Sequence, residues 1–267
     1  RLGALALNRY PDGRVNDLRQ ALAAYAGMPE GFDIMLGNGS DELISLLAMA
    51  CDVPAAPGAP KPVVLAPLPG FVMYAMSAQL QGLDFVGVPL TPDFELDEAA
   101  MLAAIALHRP AITHLAYPNN PTATLWNEDV LQRIIDAVAA VGGIVVMDEA
   151  YQPFASRTWL DRMRAEPQRN AHVLLMRTLS KFGLAGVRLG YLIGAAGLVG
   201  EIDKVRPPYN VSVLNYECAL FAIEHADVFA VQAAELREQR GKLFQALREM
   251  PGVHPFPSPG ETDTATA

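Results

Sequence analysis

Six short runs of almost wholly apolar residues recur along the chain: "PVVLAP" (62–67), "DFVGVPL" (84–90), "AITHLAYP" (111–118), "GIVVMDEA" (143–150), "HVLLMRT" (172–178) and "RLGYLIG" (188–194). They are rich in β-branched residues and lack the apolar-polar alternation of a half-exposed strand, which predicts strands covered on both faces in a mostly parallel sheet. Helical periodicity fills the gaps. Asn16 is placed to cap "DLRQALAAYAG", ending at Gly27, and Asn127 to cap "EDVLQRIIDAVAAVGG", ending at Gly142. From about Ser212 to Met250 the spacing predicts one long helix or two. Strands alternating with helices give an α/β class. "PAAPGAPKP" (54–62) reads as a Pro-rich surface connection.

A soft boundary near Arg206–Pro208 divides an expected large domain, 1–206, from a connecting helix and the start of a smaller one, 207–267. The second is expected to be cut short, because the polar "PSPGETDTATA" follows "LREMPGVHPF" where another strand should begin, and the chain opens at Arg1 without a Met.

Composition narrows the function classes. With 267 residues, 51% of them hydrophobic, there is material for one large core and part of a second. A formal net charge of -9 argues against a nucleic-acid or membrane-surface partner, so any anionic ligand must meet a local cationic pocket. Cys51 and Cys218 lie far apart with no zinc spacing, which predicts a reduced cytoplasmic protein without a structural metal. No apolar run reaches membrane-spanning length and the N-terminus lacks a signal-peptide pattern, so a soluble, cytoplasmic protein is expected. The five histidines, His108, His114, His172, His225 and His254, fit no ligand spacing and read as surface or structural residues.

Ligands of doubly wound sheets collect at the carboxyl ends of strands, and four polar groups fall there. "GNGSDEL" (37–43) is a Gly-rich turn entering a helix, suited to a phosphate or equally to an ordinary turn with Ser40 or Asp41 as N-cap. "YPNNPTAT" (117–124) holds two asparagines between prolines, which is also a plain Asn-Pro turn. Asp148 closes a very hydrophobic run and needs a partner, either a ligand cation or a structural arginine. Lys181, in "TLSKFGLAGVR", is expected to be desolvated and nucleophilic, or else to snorkel at a strand edge. Taken together the four supply a carboxylate for a pyridine nitrogen, donors for a ring oxygen, hydroxyls and an arginine for a phosphate, and an amine for an aldehyde.

"NRYPD" (8–12), "GNGSDELI" (37–44), "YPNNPT" (117–122), "DEAYQPF" (148–154) and "RTLSKFGLAGVRLGY" (177–191), in this order and spacing, resemble the pyridoxal-phosphate aminotransferases of fold type I. Among these, the histidinol-phosphate branch is the nearest match. The resemblance implies pyridoxal 5'-phosphate as cofactor and Lys181 as the residue that bonds it and shuttles the proton. It implies Asp148 on the pyridine nitrogen, Asn119 and Tyr151 on the ring oxygen, and Phe71 stacked on the ring. Ser40, Asp41, Thr178, Ser180 and Arg188 would form the phosphate cup, with Tyr10 reaching the cofactor phosphate of a neighbouring subunit in a homodimer. It implies a small-molecule amino donor and a 2-oxo acid acceptor, with L-histidinol phosphate and 2-oxoglutarate exchanging the amino group in histidine biosynthesis.

Another amino-acid aminotransferase, a phosphothreonine decarboxylase-like enzyme and a catalytically silent relative share these cofactor residues and stay open. A nicotinamide dehydrogenase does not fit, since no Gly-x-Gly-x-x-Gly follows the first strand. Two positions depart from the family pattern: Phe71 stands for a tyrosine, and Ala123 for a glycine whose backbone would be strained if its φ is positive. The resemblance implies an arginine that grips the substrate carboxylate and an N-terminal arm over the substrate, both expected to lie outside this sequence.

Overall fold

The computed structural model describes residues 2–11, 16–53, 56 and 58–257. Asp12 of the "NRYPD" stretch, Pro54, Ala55 and Pro57 of the Pro-rich connection, and the tail from Ser258 onward lie outside the described residues.

Seven strands form one sheet among the described residues: β1 (Phe32–Gly37), β2 (Val63–Leu68), β3 (Asp84–Pro89), β4 (Ile112–Ala116), β5 (Ile144–Asp148), β6 (Val173–Thr178) and β7 (Gly190–Ala195), in the order β1-β7-β6-β5-β4-β2-β3. β7 runs antiparallel to both its neighbours, and every other pairing is parallel. The six expected strands are all present. β1 was not among them.

The helices divide by face. α1 (Asn16–Ala26), α4 (Glu98–His108), α5 (Glu128–Ala140), α6 (Leu160–Ala165) and α8 (Val213–Glu224) cover the side carrying Leu65, Leu115, Val145, Met147, Leu175 and Ile193. α2 (Gly39–Cys51), α3 (Met73–Gln81) and α7 (Ala196–Asp203) cover the side carrying Val64, Ile112, Val146, Leu174, Met176 and Leu192. Alternate residues of one strand thus enter two different cores, which is why the runs are apolar throughout. Each such leucine, isoleucine or valine withdrawn from water contributes roughly 1.5–3 kcal/mol.

Local signals set the helix ends. Asn127 caps α5 as its sequence predicts, its Oδ1 accepting the N–H groups of Asp129 at 2.9 Å and Val130 at 3.1 Å. Asn16 is instead the first residue of α1. The 212–250 segment is two helices, broken at His225 into α8 and α9 (Ala226–Arg248), with Ser212 Oγ accepting the Asn215 N–H at 3.2 Å as the cap of α8. α8 sends Ala219 and Ala222 into the core beneath α1, so the chain past residue 207 begins by packing on the sheet domain.

Pairing places the site. Thr178 at the end of β6 lies opposite Gly190 at the start of β7, and Gly190 in turn faces Gly37 at the end of β1. The turn from β1 into α2 is therefore delivered beside the carboxyl ends of β5 and β6.

Candidate active site

At that edge a cavity of about 160 Å³ is lined by residues from five parts of the sequence, including Ser40, Phe71, Asp148, Tyr151, Lys181 and Arg188. Its anion end is built by α2, whose N-cap Asn38 makes no side-chain cap, so neither Ser40 nor Asp41 caps the helix. Both lie in the first turn, where N–H groups have no intrahelical acceptor and the helix dipole favours an anion. The approach is tight. A Cβ on Gly190 would stand 2.6 Å from the Gly39 carbonyl carbon, and one on Gly39, whose φ is +75, would stand 2.8 Å from Arg188 Nη2. Only glycines let the helix end, β7 and the guanidinium converge here.

Arg188 sits in the left-handed region at φ 50, with Nη1 donating to Ser180 Oγ at 3.2 Å and Nη2 to Asp41 Oδ2 at 3.2 Å. Thr178 Oγ1 is 3.0 Å from Ser180 Oγ and accepts the Ser180 N–H at 3.1 Å. Guanidinium, two hydroxyls and a helix N-terminus thus surround one end of the cavity.

Asp148 forms the floor at 5% exposure. Burial, opposed by its hydrogen bonds, pushes its carboxyl up to about 6. The structural arginine that could have paired with it, Arg177, turns instead to Glu149, with Nη2 to Oε2 at 2.8 Å. Asp148 receives a phenol: Tyr74 Oη donates to Oδ2 at 2.7 Å, and the Ala150 N–H donates to Oδ1 at 3.0 Å. Tyr74 was not foreseen, since nothing in "FVMYAMSAQ" marks one aromatic of an apolar helix as a site residue.

A carboxyl whose native pKa is raised holds its proton in the folded state at pH values where the unfolded chain has lost it. Its contribution to stability therefore falls as pH rises from about 4 to about 6 and is level above that. Asp148→Asn is expected to flatten this slope and to stabilise the cofactor-free protein at pH 7 by on the order of 2–3 kcal/mol, as read by denaturant unfolding across that range.

Lys181 differs from its expected setting. It does not end the buried strand but lies in a short π-helical turn, Ser180–Leu184, just beyond it, where it is exposed, with Nζ 5.2 Å from the centre of the Tyr151 ring. It is one of the residues lining the cavity. Phe71 stands on the wall, edge-on to Tyr74 at 5.7 Å.

The asparagine assignment shifts by one. Asn119 is 3% exposed, and its amide is committed to the Pro69 carbonyl at 3.1 Å and to Thr122 Oγ1 at 2.8 Å. Asn120, half-buried, lines the cavity in its place. The turn that arranges them closes through the Ala123 N–H to the Asn119 carbonyl at 2.9 Å, with Ala123 at φ 58. The left-handed conformation costs a residue with a Cβ about 1–2 kcal/mol. Ala123→Gly is expected to raise stability by roughly 0.5–1 kcal/mol once the greater freedom of glycine in the unfolded chain is subtracted, a shift readable in the thermal midpoint.

Tyr10, like Asn119, is not among the residues lining the cavity: it is 83% exposed and stacks on Tyr209 with ring centres 5.0 Å apart. No cluster of three or more potential metal ligands occurs among the described residues.

The residues fit pyridoxal phosphate. The glycine cradle with Arg188 suits the phosphate, the buried carboxylate suits a ring nitrogen, and an aromatic ring and one amine line the same cavity.

Comparison with known proteins agrees. The family model for aminotransferase class I and II matches residues 4–261. The histidinol-phosphate aminotransferase of Paracidovorax citrulli (strain AAC00-1) is 77% identical over 254 residues, which span 95% of this chain and 68% of that protein. That of Methylibium petroleiphilum is 69% identical over 97% of this chain and 67% of its own length. Among solved structures, histidinol-phosphate aminotransferase from Sinorhizobium meliloti in complex with pyridoxal-5'-phosphate superposes with a TM-score of 0.81 at 27% identity, over 94% of this chain and 66% of that one. The Clostridium acetobutylicum protein shares the fold, with a TM-score of 0.81 at 19% identity over 94% and 72%. On this evidence the chain is a member of the class I and II aminotransferases, of fold type I.

Proposed function

We propose that this chain carries the cofactor site of a transaminase that exchanges an amino group between L-histidinol phosphate and 2-oxoglutarate, a step of histidine biosynthesis. The observation that carries the reaction type is the convergence of Asp148, Lys181 and Arg188 on one cavity. The substrate rests on the names of relatives at 69–77% identity.

When bound, the cofactor supplies an aldehyde to the incoming amine and a ring that accepts the electron pair left behind as the α-proton departs. Arg188, Ser180, Thr178 and the N–H groups of Ser40 and Asp41 hold the phosphate end. Asp148 holds a proton on the ring nitrogen by ionic hydrogen bonding. Asn120 and Tyr151, which line the cavity, would hydrogen-bond the ring oxygen, with Asn120 taking the role expected of Asn119. Phe71 orients the ring by stacking, without the hydroxyl a tyrosine would bring. Lys181 Nζ anchors the cofactor and then, as general base and acid, carries a proton between the substrate α-carbon and the cofactor. The exposed ring of Tyr10 supports a homodimer in which it reaches the partner's phosphate. The free thiols of Cys51 and Cys218 suit a reducing cytoplasm.

The test is amino-donor exchange with the cofactor-loaded protein, following 2-oxoglutarate-dependent consumption of histidinol phosphate beside aspartate, phenylalanine and phosphothreonine. Preference for histidinol phosphate in kcat/KM is expected. A higher value for any other donor overturns the substrate, and carbon dioxide release from phosphothreonine overturns the reaction type.

A further inference from the structure

Beside Asp148 two residues from different elements are stacked, and one of them, Tyr74, also lines the cavity. Tyr74, from the first turn of α3, is 3% exposed, and His114, from the middle of β4, is 1% exposed. Their rings are parallel to within 4° at 4.2 Å, while the edge of Phe71 meets the other part of Tyr74 at 5.7 Å. The phenol is thus held between the cofactor wall and a buried imidazole, with its O–H 2.7 Å from Asp148 Oδ2.

No arginine, lysine or protonated histidine donates to Asp148 among the described residues. Burial keeps His114 neutral, with its pKa pushed down to about 3, and its Nδ1 has no hydrogen-bond partner there. The other charges near the carboxylate are Asp41 and Glu149, which oppose its ionisation, and Lys181 and Arg188 on the cavity wall. A cation in the place of Tyr74 would neutralise the carboxylate and weaken its hold on a ring-nitrogen proton. A phenol favours the anion while leaving its charge uncancelled.

We propose that Tyr74 is a positioning residue which, stacked on a neutral His114, fixes Asp148 as an anion aimed into the cavity while contributing no charge of its own. The proposal rests on the reading of Asp148 as the partner of the cofactor ring nitrogen.

The test uses two readouts. In the cofactor-free protein labelled with ¹³C-carboxyl aspartate, Tyr74→Phe is expected to raise the Asp148 titration midpoint by about one pH unit, a tenfold change in proton affinity. His114→Phe, which keeps the stack and stays neutral, is expected to leave that midpoint in place. In protein loaded with ¹⁵N-pyridoxal phosphate, Tyr74→Phe is expected to move the ring-nitrogen shift toward that of an unprotonated ring, because the shared proton passes to the more basic Asp148 carboxyl, with phosphate-end contacts intact by ³¹P shift. An unmoved Asp148 titration in Tyr74→Phe, or a shift of the same size in His114→Phe, overturns the proposal. A ring nitrogen that stays protonated in Asp148→Asn overturns the underlying reading instead, whatever Tyr74 does.

Discussion

Lys181→Ala is expected to abolish turnover, by about 10⁴-fold or more, while leaving a protein that folds and still retains the cofactor by its phosphate and ring contacts. The side chain is exposed and lies over the Tyr151 ring rather than in either core, so its removal costs stability no more than about 0.5 kcal/mol. No other lysine lines the cavity, which leaves no amine to take over its task. Borohydride reduction followed by peptide mass analysis checks this directly: label is fixed at Lys181 in the native chain and nowhere in the variant. Label found on another lysine would remove Lys181 from its role.

The largest effect on stability is expected from the neighbouring ion pair. Arg177 and Glu149 have side chains 9% and 0% exposed, and their 2.8 Å contact is supported by Thr158 Oγ1 and by the Trp159 N–H donating to Glu149 Oε1 at 2.6 Å. Arg177→Met strands a buried carboxylate among these donors and is expected to cost about 3–5 kcal/mol. At this chain length that lowers the thermal midpoint by on the order of 10 °C. Replacing both partners by apolar residues should recover part of the loss, because the penalty belongs to the unpaired charge. A scanning-calorimetry series of the single and double variants measures it, and an additive double variant would contradict the pairing.

These two predictions show which features were legible in the sequence. Lys181 and Asp148 could be picked out because a charge beside an apolar strand must have a purpose, whereas Arg188 entered through the family resemblance. The setting of each could not. Lys181 is exposed because a π-helical turn intervenes after β6, and Arg177, which could have been the structural partner left open for Asp148, serves the adjacent carboxylate. Asn119 and Asn120 are chemically identical neighbours, and only the backbone turn decides which amide meets the cavity.

The strands were read from apolar runs that feed two cores. "FDIMLG" carries Asp33 and merges into a glycine turn, so β1 gave no such signal. In α3 the pattern points the wrong way: Val72, just before it, and Met76 and Leu80 within it form an exposed stripe, whereas Tyr74, Ser77 and Ala78 are buried. The resemblance to a family supplied what periodicity could not, the roles of residues whose geometry is settled only in three dimensions. At Ala123 the family pattern has glycine, which left open whether the backbone there is left-handed, and the structure gives it a φ of 58.

One amide remains. Asn210, in the link between α7 and α8, donates through Nδ2 to the Leu36 carbonyl at 3.1 Å and to Glu42 Oε2 at 2.8 Å, receives Arg206 Nη1 on its Oδ1 at 3.0 Å, and accepts Asn38 Nδ2 on its own carbonyl. The connection leaving the sheet is therefore riveted to the first turn of α2, the same turn that presents Ser40 and Asp41. Any swing of the segments after Asn210 has its fulcrum beyond this residue, and the anion cradle stays stationary while they move.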